Sequence, residues 1–211
     1  MKSLDVSFLA ALGQARERGL VPAQLLWLRA RDRATGAPAE FGFWTRDETL
    51  QAEVISAETG MPVLRTFVGG VNLKLGEIVH TSDLTIPSVV VTMSQIADAA
   101  QIMLRGADCR LATVEIYDAL LEVAGAGYDG GGLVAAPRPS FLGLVDEAPL
   151  VTPAAGGEGS ISLTLRSEAI AMLARVNPRR SSAQGQAIRS GDQWGRYAST
   201  VATWSLKWGA R

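Results

Sequence analysis

The sequence contains very few of the residues that metal sites and covalent catalysts require. Its 211 residues include one cysteine, Cys109, and one histidine, His80. A single cysteine excludes a disulfide within the chain and any cysteine-rich zinc or iron–sulfur site built by one copy. A single histidine excludes a two-histidine metal site or a pair of catalytic histidines in one copy. The sequence therefore predicts a protein with no cofactor.

Long apolar runs are also absent. No stretch approaches the roughly 20 apolar residues that cross a bilayer. The chain begins Met-Lys-Ser-Leu-Asp, and the early acid Asp5 is not typical of a secretory signal. Hydrophobic residues make up 47% of the sequence, which indicates a folded chain rather than a disordered one. We expect the protein to fold in the cytoplasm.

Two short motifs point to catalysis or nucleotide binding only weakly. Residues 125–130 match G-x-G-x-x-G, but the residues up to Pro137 are a poor helix start, so we expect a loop. His80 has Ser82 and Asp83 close by, but neighbouring residues on a strand point to opposite faces. Catalytic triads are assembled from distant segments. We therefore expect His80 to be an edge-strand or loop residue.

Neither the thiol nor the carboxylates form a clear catalytic set. Cys109 lies just before a predicted strand with no evident base nearby, so we expect it to be structural. Carboxylate pairs occur at 47–48, at 146–147, and at Glu115 with Asp118. We expect each pair to lie in a charged, solvated turn.

Charge is distributed unevenly along the chain. Residues 175–211 contain seven Lys or Arg and one acid, Asp192, hence a net charge of +6. Residues 1–174 contain the other 13 bases and 20 acids, hence −7. The basic region also holds three of the five tryptophans, Trp194, Trp204 and Trp208. We predict a β-rich body at 1–174 with an N-terminal helix, and a basic C-terminal arm at 175–211 that packs on an acidic surface of its own or a neighbouring copy.

An arm in which aromatic residues alternate with arginine also suits single-stranded nucleic acid. Two observations argue against that partner. The whole chain is acidic, with a pI of about 5.9, and no recognised nucleic-acid-binding motif is present. We therefore expect no specific nucleic-acid partner.

The apolar pattern predicts more strands than helices. Residues 4–18 have helical spacing, and residues 25–45 predict a hairpin around turn residues 32–36. Further strands are predicted at 51–56, 62–67, 84–93, 111–117, 140–145 and 160–166. Turn signals every 8–12 residues favour a mainly β fold with a few short helices (α+β), built as an antiparallel β-sandwich or barrel.

Two more helices are predicted. Residues 94–104 place apolar side chains on one face, and Gly106 would end that helix. The apolar residues of this face are Ile96, Ala99, Ala100, Met103 and Leu104. A weaker helix is predicted at 167–174, and glycine-rich residues 125–132 predict a loop.

Four features in order along the chain carry a resemblance to a known family. The first is Leu-Trp-Leu-Arg-Ala-Arg-Asp-Arg-Ala-Thr-Gly at 26–36, followed by an aromatic strand that ends at Trp44. The second is a strand–helix–strand stretch through 84–117, and the third is Phe-Leu-Gly-Leu-Val-Asp at 141–146. The fourth is the ending, with Arg-Arg-Ser-Ser-Ala-Gln at 179–184, Ser-Gly-Asp-Gln-Trp at 190–194 and Trp-Gly at 208–209. The chain resembles the small tail-tip proteins of long-tailed bacteriophages and prophages, of the distal-tail and baseplate-hub type. The resemblance covers nearly the whole chain, and the ending is its most specific part.

The resemblance implies a structural virion protein of the tail tip that is not an enzyme and has the tail-tube/hub type of β-sandwich or barrel. Such proteins form trimeric or hexameric rings that join the tail tube to the baseplate hub or central fibre. The implied partners are the tail tube protein, the tape-measure protein and a hub or fibre protein, with no membrane contact in the resting state. The chain would be made in the host bacterial cytoplasm. Some relatives hold a cysteine-ligated iron–sulfur cluster, which this chain lacks the cysteines to bind.

The arm is the predicted assembly interface, because interface energy concentrates in Trp, Tyr and Arg. The expected interface residues are Arg179, Arg180, Arg189, Trp194, Arg196, Trp204 and Trp208. The alternative is a carbohydrate-binding or hydrolytic β-sandwich protein of the tail tip. A deep cleft with two carboxylates about 5–10 Å apart would favour that alternative.

Overall fold

The computed structural model describes residues 6–79, 87–123, 130–151, 159–170, 182–201, 203–205 and 209. The chain divides into two compact units, Met1–Ile170 and Ala171–Arg211, which we call the first and second units. The predicted interface residues Arg179, Arg180 and Trp208 lie outside the described residues, and so does His80.

The first unit is mainly β, as predicted. Among its described residues the helices are α1 (Val6–Arg18) and α2 (Asp98–Gly106), and residues 169–170 are also helical. Its strands are β1 (Val21–Asp32), β2 (Pro38–Trp44), β3 (Leu50–Ile55), β4 (Pro62–Phe67), β5 (Lys74–Leu75), β6 (Ser88–Ser94), β7 (Ala107–Val123), β8 (Gly130–Leu133), β9 (Arg138–Glu147), β10 (Leu150–Val151) and β11 (Ser160–Ser167).

Nine of these strands form one antiparallel sheet that curls into a half-barrel. The main path runs in the order β2-β1-β7-β9-β11-β6-β5, with β10 paired to β11 and β8 paired to β7. Strands β3 and β4 form a separate antiparallel hairpin. The predicted antiparallel arrangement of strands is confirmed. The sheet closes only partly, so β2 lies at one edge and the short β5 at the other.

The hairpin predicted for residues 25–45 is confirmed as β1–β2. Leu25 pairs with Trp44 in antiparallel register. The turn is closed by Asp32, whose carboxylate oxygen Oδ1 accepts a hydrogen bond from the backbone N–H of Thr35 at 2.8 Å. This bond contributes most to holding the pKa of Asp32 below its ordinary value. Gly36 then takes a φ of +71°, a left-handed conformation that glycine adopts without strain.

Strands β1 and β7 are buried on both faces, so they belong to two cores. Side chains alternate across a strand, and Leu28 therefore enters one core while Trp27 enters the other. The larger core also contains side chains of β6, β9, β11 and α2. The second core is covered by the β3–β4 hairpin, through Ala52, Val54 and Phe67.

Helix α2 begins later than predicted. Ser94 still belongs to β6, and the helix starts at Asp98. Ala100 and Met103 face the larger core as expected, but Ile96 lies before the helix and is exposed. The predicted apolar face was therefore wrong at its first residue. The helix passes directly from Gly106 into β7 without a loop.

Two other predictions need correction. Strand β7 begins at Ala107, so Cys109 lies within the strand rather than before it, and its side chain is buried. The loop predicted at 125–132 is wrong for its last three residues, because Gly130–Leu133 pairs with β7 as β8. Residues 125–129 of the G-x-G-x-x-G sequence lie outside the described residues. Of the helix predicted at 167–174, Ser167 belongs to β11, residues 169–170 are helical, and residues 171–174 lie outside the described residues.

The described residues of the second unit include two short helices, α3 (Ala183–Ala187) and α4 (Ala198–Val201). Ser190 and Gly191, with φ of +54° and +74°, lie between them. The sequence pattern predicted neither of these helices, because each is only about one turn long.

Candidate assembly interface

Four side chains of the second unit form an exposed row, which we call the aromatic stripe: Trp194, Tyr197, Val201 and Trp204. Their spacing of three, four and three residues is that of one helix face. Backbone hydrogen bonds from Val201 N–H to Tyr197 O at 2.9 Å and from Trp204 N–H to Val201 O at 3.2 Å form helical turns here. Trp194 and Trp204 are 84% and 61% exposed. The stripe is a large apolar surface left in water.

The Ser-Gly-Asp sequence at 190–192 positions the start of this stripe. Ser190 and Gly191 are both left-handed, and the backbone N–H of Gly191 donates to the carbonyl oxygen of Ala187 at 3.0 Å after α3. Asp192 then accepts a hydrogen bond at Oδ1 from the backbone N–H of Trp194 at 2.9 Å. Its carboxylate thus caps the turn that carries the first tryptophan.

A second set of contacts holds α3 against this turn. Ser182 caps α3, because its Oγ accepts a hydrogen bond from the N–H of Gly185 at 3.1 Å. Gly195 is buried, and a Cβ there would lie 3.3 Å from the Cα of Ala183 and against the amide oxygen of Gln186. The absence of a side chain at 195 therefore lets the two halves of the unit meet.

Arginines accompany the stripe. The guanidinium carbon of Arg196 lies 5.7 Å from the ring centroid of Tyr197, within cation–π range. Arg189 is also exposed. The structure thus places Arg189, Trp194, Arg196 and Trp204 on the surface of the second unit. The sequence analysis missed Tyr197 and Val201, although their helical spacing with the two tryptophans was visible in the sequence.

The first unit carries an apolar groove of 410 Å³ between β2, β4 and α2. Its lining includes Phe41, Leu64, Val68, Ala99 and Ile102, with Glu40 at the same surface. Leu64 and Ile102 are 68% and 65% exposed. β2 is an edge strand, and in the part of the chain that the structure describes only Val68 bridges its outer side. We call this feature the β2–α2 groove.

A buried ion pair holds the hairpin that forms one wall of this groove. Arg65 on β4 places Nη1 2.6 Å from Oε2 of Glu115 on β7, and the two side chains are 10% and 3% exposed. Arg65 also donates to Tyr117 OH at 2.8 Å, and Tyr117 donates to Glu115. The carboxylate further accepts bonds from Ser56 Oγ and Ala57 N–H, both at 3.3 Å.

The prediction that Glu115 lies in a solvated turn is therefore wrong. Glu115 occupies an inward position of β7, on the same face as Tyr117, and its sequence neighbours are apolar. The sequence did contain a signal for this burial, because Glu115 alternates along the strand in step with residues of the core. Its partner Arg65 lies 50 residues away in sequence, so the pair itself was not visible.

The cluster shifts the pKa values of its acids in opposite directions. Burial by itself raises the pKa of Glu115, but the hydrogen bonds from Arg65 and Tyr117 and the positive charge of Arg65 outweigh it, so the pKa lies below 4.5. Burial and the neighbouring carboxylate raise the pKa of Tyr117 far above 10.0. Glu115 is therefore ionised and Tyr117 neutral at physiological pH.

The Arg65 guanidinium also lies over an aromatic ring that lines the groove. Its carbon is 4.6 Å from the centroid of Trp27, which makes an edge contact with Phe67 at 5.8 Å between centroids. Arg65 therefore joins the acid of one strand to the indole of another, and it fixes the hairpin over the sheet.

Another groove, of 670 Å³, has a mixed charged lining that includes Arg33, Asp108, Arg110, Asp146 and Glu147. Asp146 is paired with Arg166 at 2.8 Å. Cys109 also lines this groove, and burial raises the pKa of its thiol, which disfavours the reactive thiolate.

Two features are absent from the described residues, a metal-binding cluster and a helix able to cross a membrane. No group of three or more His, Cys, Asp or Glu side chains is arranged to hold a metal ion. Among the same residues, none of the helices combines the length and apolar character needed to cross a membrane. Comparison of the chain with protein-family models and with curated proteins gives no match.

Proposed function

We propose that this chain is a structural protein at the distal end of a phage tail. It forms a trimeric or hexameric ring of the tail-tube/hub type that joins the tail tube to the baseplate hub or central fibre. The proposal combines the order of sequence features described above with the surfaces of the two units. In this role the chain binds proteins and catalyses no reaction.

The observation that carries this proposal is the exposed aromatic stripe on a basic arm. Two tryptophans and a tyrosine in water represent a large apolar area, and such surfaces mark sites of association. The +6 charge of residues 175–211 complements the −7 charge of residues 1–174. A chain whose two regions attract each other in this way is suited to assembly between copies.

The half-barrel supports the same role. An open antiparallel sheet has two edges, here β2, which is bridged by Val68 at Phe43, and β5, and unpaired backbone groups along such edges can pair with a neighbour. A closed ring uses two different surfaces of each copy, so that one edge of a copy meets another part of the next. Curled sheets with open edges fit this arrangement.

Electron microscopy of purified virions or of assembled tails tests the proposal. The expected result is density for this chain as a ring with three-fold or six-fold symmetry at the end of the tail tube. Absence of the chain from purified tails would contradict the proposal. Deletion of residues 175–211 is expected to abolish incorporation while the first unit stays folded, as judged by circular dichroism.

The carbohydrate-binding or hydrolytic alternative is favoured by the 670 Å³ groove, whose lining includes Asp108, Asp146 and Glu147. Glycosidases hydrolyse sugars with a pair of carboxyl groups that flank the scissile bond. Incubation with host cell-wall glycans, with release of reducing ends as the measurement, tests it. Activity that is lost in Glu147→Gln would support this alternative over a purely structural role.

A further inference from the structure

We propose that the aromatic stripe of one copy docks in the β2–α2 groove of a second copy. The inference rests on the proposed ring function and specifies the contact that closes the ring. It assigns Trp194, Tyr197, Val201 and Trp204 as the inserted side chains, and the walls of the groove as their receptor.

The groove has the chemistry that such a segment requires. Its exposed walls, Leu64 on β4 and Ile102 on α2, are apolar side chains that lose water on contact. A volume of 410 Å³ lies within the range of about 300–1,000 Å³ in which pockets hold a compact apolar group. Helical segments commonly insert side chains at positions i, i+3 and i+7 into such grooves. The stripe offers this spacing at Trp194, Tyr197 and Val201.

The charges around the groove complement those beside the stripe. Glu40 lines the groove, Glu53 lies opposite Leu64 in the β3–β4 register, and Asp98 lies one helical turn before Ile102. Arg65 brings no free positive charge, because Glu115 neutralises it.

Two other bases lie on this side, Arg29, whose Nε is 4.0 Å from Oε1 of Glu40, and Arg105 in the last turn of α2, so the three acids still outnumber them. Among the described charged residues of the second unit, Arg189 and Arg196 outnumber Asp192, and Arg196 lies over the Tyr197 ring of the stripe. Like charges would oppose a stripe-to-stripe contact, whereas stripe-to-groove contact pairs arginine with acid. A contact between two different surfaces of the same chain is heterologous, and heterologous contacts propagate from copy to copy until a ring closes.

Cross-linking between two differently tagged full-length proteins tests the contact. One protein carries Ile102→Cys and the other Val201→Cys, both in a Cys109→Ala background that removes the native thiol. A short bismaleimide is expected to give a cross-linked product containing both tags. Ile96→Cys is the matched control, because Ile96 is also an exposed isoleucine but does not line the groove. The control is expected to give no mixed product.

Sedimentation of the full chain gives a second readout. Ile102→Glu places a charge in the apolar wall and is expected to weaken self-association by at least about tenfold, which is about 1.4 kcal/mol. Ile96→Glu is expected to leave self-association unchanged. Ile102 is solvent-exposed, so circular dichroism should show that both variants fold equally well.

The outcomes separate the inference from the proposed function. A mixed product at 102 but not at 96 supports docking in a second copy. A protein that carries both Ile102→Cys and Val201→Cys could instead cross-link within one chain. If a cross-link forms only in that protein, the arm lies on its own chain, and the inference is overturned. Rings without the 102–201 cross-link would overturn it as well, while the ring function stands. If the 102–201 cross-link forms but the protein is absent from purified tails, the contact between copies is supported and the tail-tip function is refuted. Absence of both self-association and cross-link in the purified protein overturns the inference.

Discussion

Arg65 Nη1 lies 2.6 Å from Glu115 Oε2, in a contact that joins the β3–β4 hairpin to the main sheet. The two side chains are almost completely removed from water, and hydrogen bonds from Tyr117, Ser56 and Ala57 satisfy the carboxylate further. A buried charge without its partner is strongly unfavourable. The position of the hairpin, and with it one wall of the β2–α2 groove, therefore depends on this pair.

Replacement of Arg65 by methionine tests this dependence. The variant leaves Glu115 buried and unpaired, and we expect the free energy of unfolding to fall by about 3–5 kcal/mol. Urea denaturation followed by circular dichroism gives the value. Arg166→Met is the matched control, because the Arg166 side chain in its pair with Asp146 is half exposed and such pairs contribute about 0–1 kcal/mol. Equal losses in the two variants would contradict the structural role of Arg65.

The same cluster predicts a pH dependence of stability. The folded pKa of Glu115 lies below 4.5, so its contribution is complete above that pH and is lost as pH falls through the folded value. The folded pKa of Tyr117 is raised, so its contribution is complete below pH 10.0 and is lost at higher pH. Urea midpoints measured between about pH 3 and 11 should therefore fall at both ends.

Two variants assign these losses to their residues. Glu115→Gln is expected to flatten the acid side of the curve, and Tyr117→Phe the alkaline side. Asp32 also has a lowered pKa, but it is exposed in a turn and is unchanged in both variants. An acid side as steep in Glu115→Gln as in the wild type would show that other carboxylates cause the loss.

Two glycines should respond in opposite ways to alanine. Gly42 in β2 is buried, and a Cβ there would press on the carbonyl oxygen of Thr66 and lie 3.0 Å from the Trp27 ring. Gly42→Ala is therefore expected to destabilise by about 1–3 kcal/mol. Gly13 lies inside α1 with no atom within 4 Å of a new Cβ, so Gly13→Ala should stabilise by about 0.5–1 kcal/mol. Thermal unfolding measures both, and shifts of the same sign would contradict the packing of β4 on β2.

Leu111 carries backbone strain at the irregularity between β1 and β7. Its φ is +55°, and its side chain is exposed, so no packing offsets the cost of the left-handed conformation. Asparagine tolerates this conformation better. Leu111→Asn is therefore expected to raise the free energy of unfolding by about 0.5–1 kcal/mol. The reverse exchange at a second left-handed residue, Asn72→Leu, should lower it by a similar amount. A lower unfolding midpoint in Leu111→Asn would refute the strain.

Local signals predicted the parts of the fold that depend on neighbouring residues. The β1–β2 hairpin was readable because the turn residues 32–36 satisfy their own backbone groups. Strands β5 and β10 have two residues each and form only because a longer strand is available to pair with them. The start of α2 was misplaced because Ser94 completes the pairing of β6 with β11, and tertiary pairing overrides local helical preference.

The candidate interface was predicted only in part for the same reason. Composition and charge identified the arm and its tryptophans without any structure. The β2–α2 groove, in contrast, combines Phe41, Leu64 and Ile102 from three separate elements, and no spacing in the sequence relates them. Glu115 and Arg65 meet only because β4 folds over β7. Long-range contacts of this kind need the topology first.

The burial of β1 and β7 on both faces limits how the length of this chain can change. One residue inserted within either strand would turn every following side chain to the opposite face. Trp27 would then exchange cores with its neighbour, and Glu115 would leave Arg65 for an apolar interior. We therefore expect insertions and deletions to be tolerated in the exposed turn at 33–37 and to prevent folding within β1 or β7. In a set of related chains, these two strands should appear as blocks of constant length between turns of variable length.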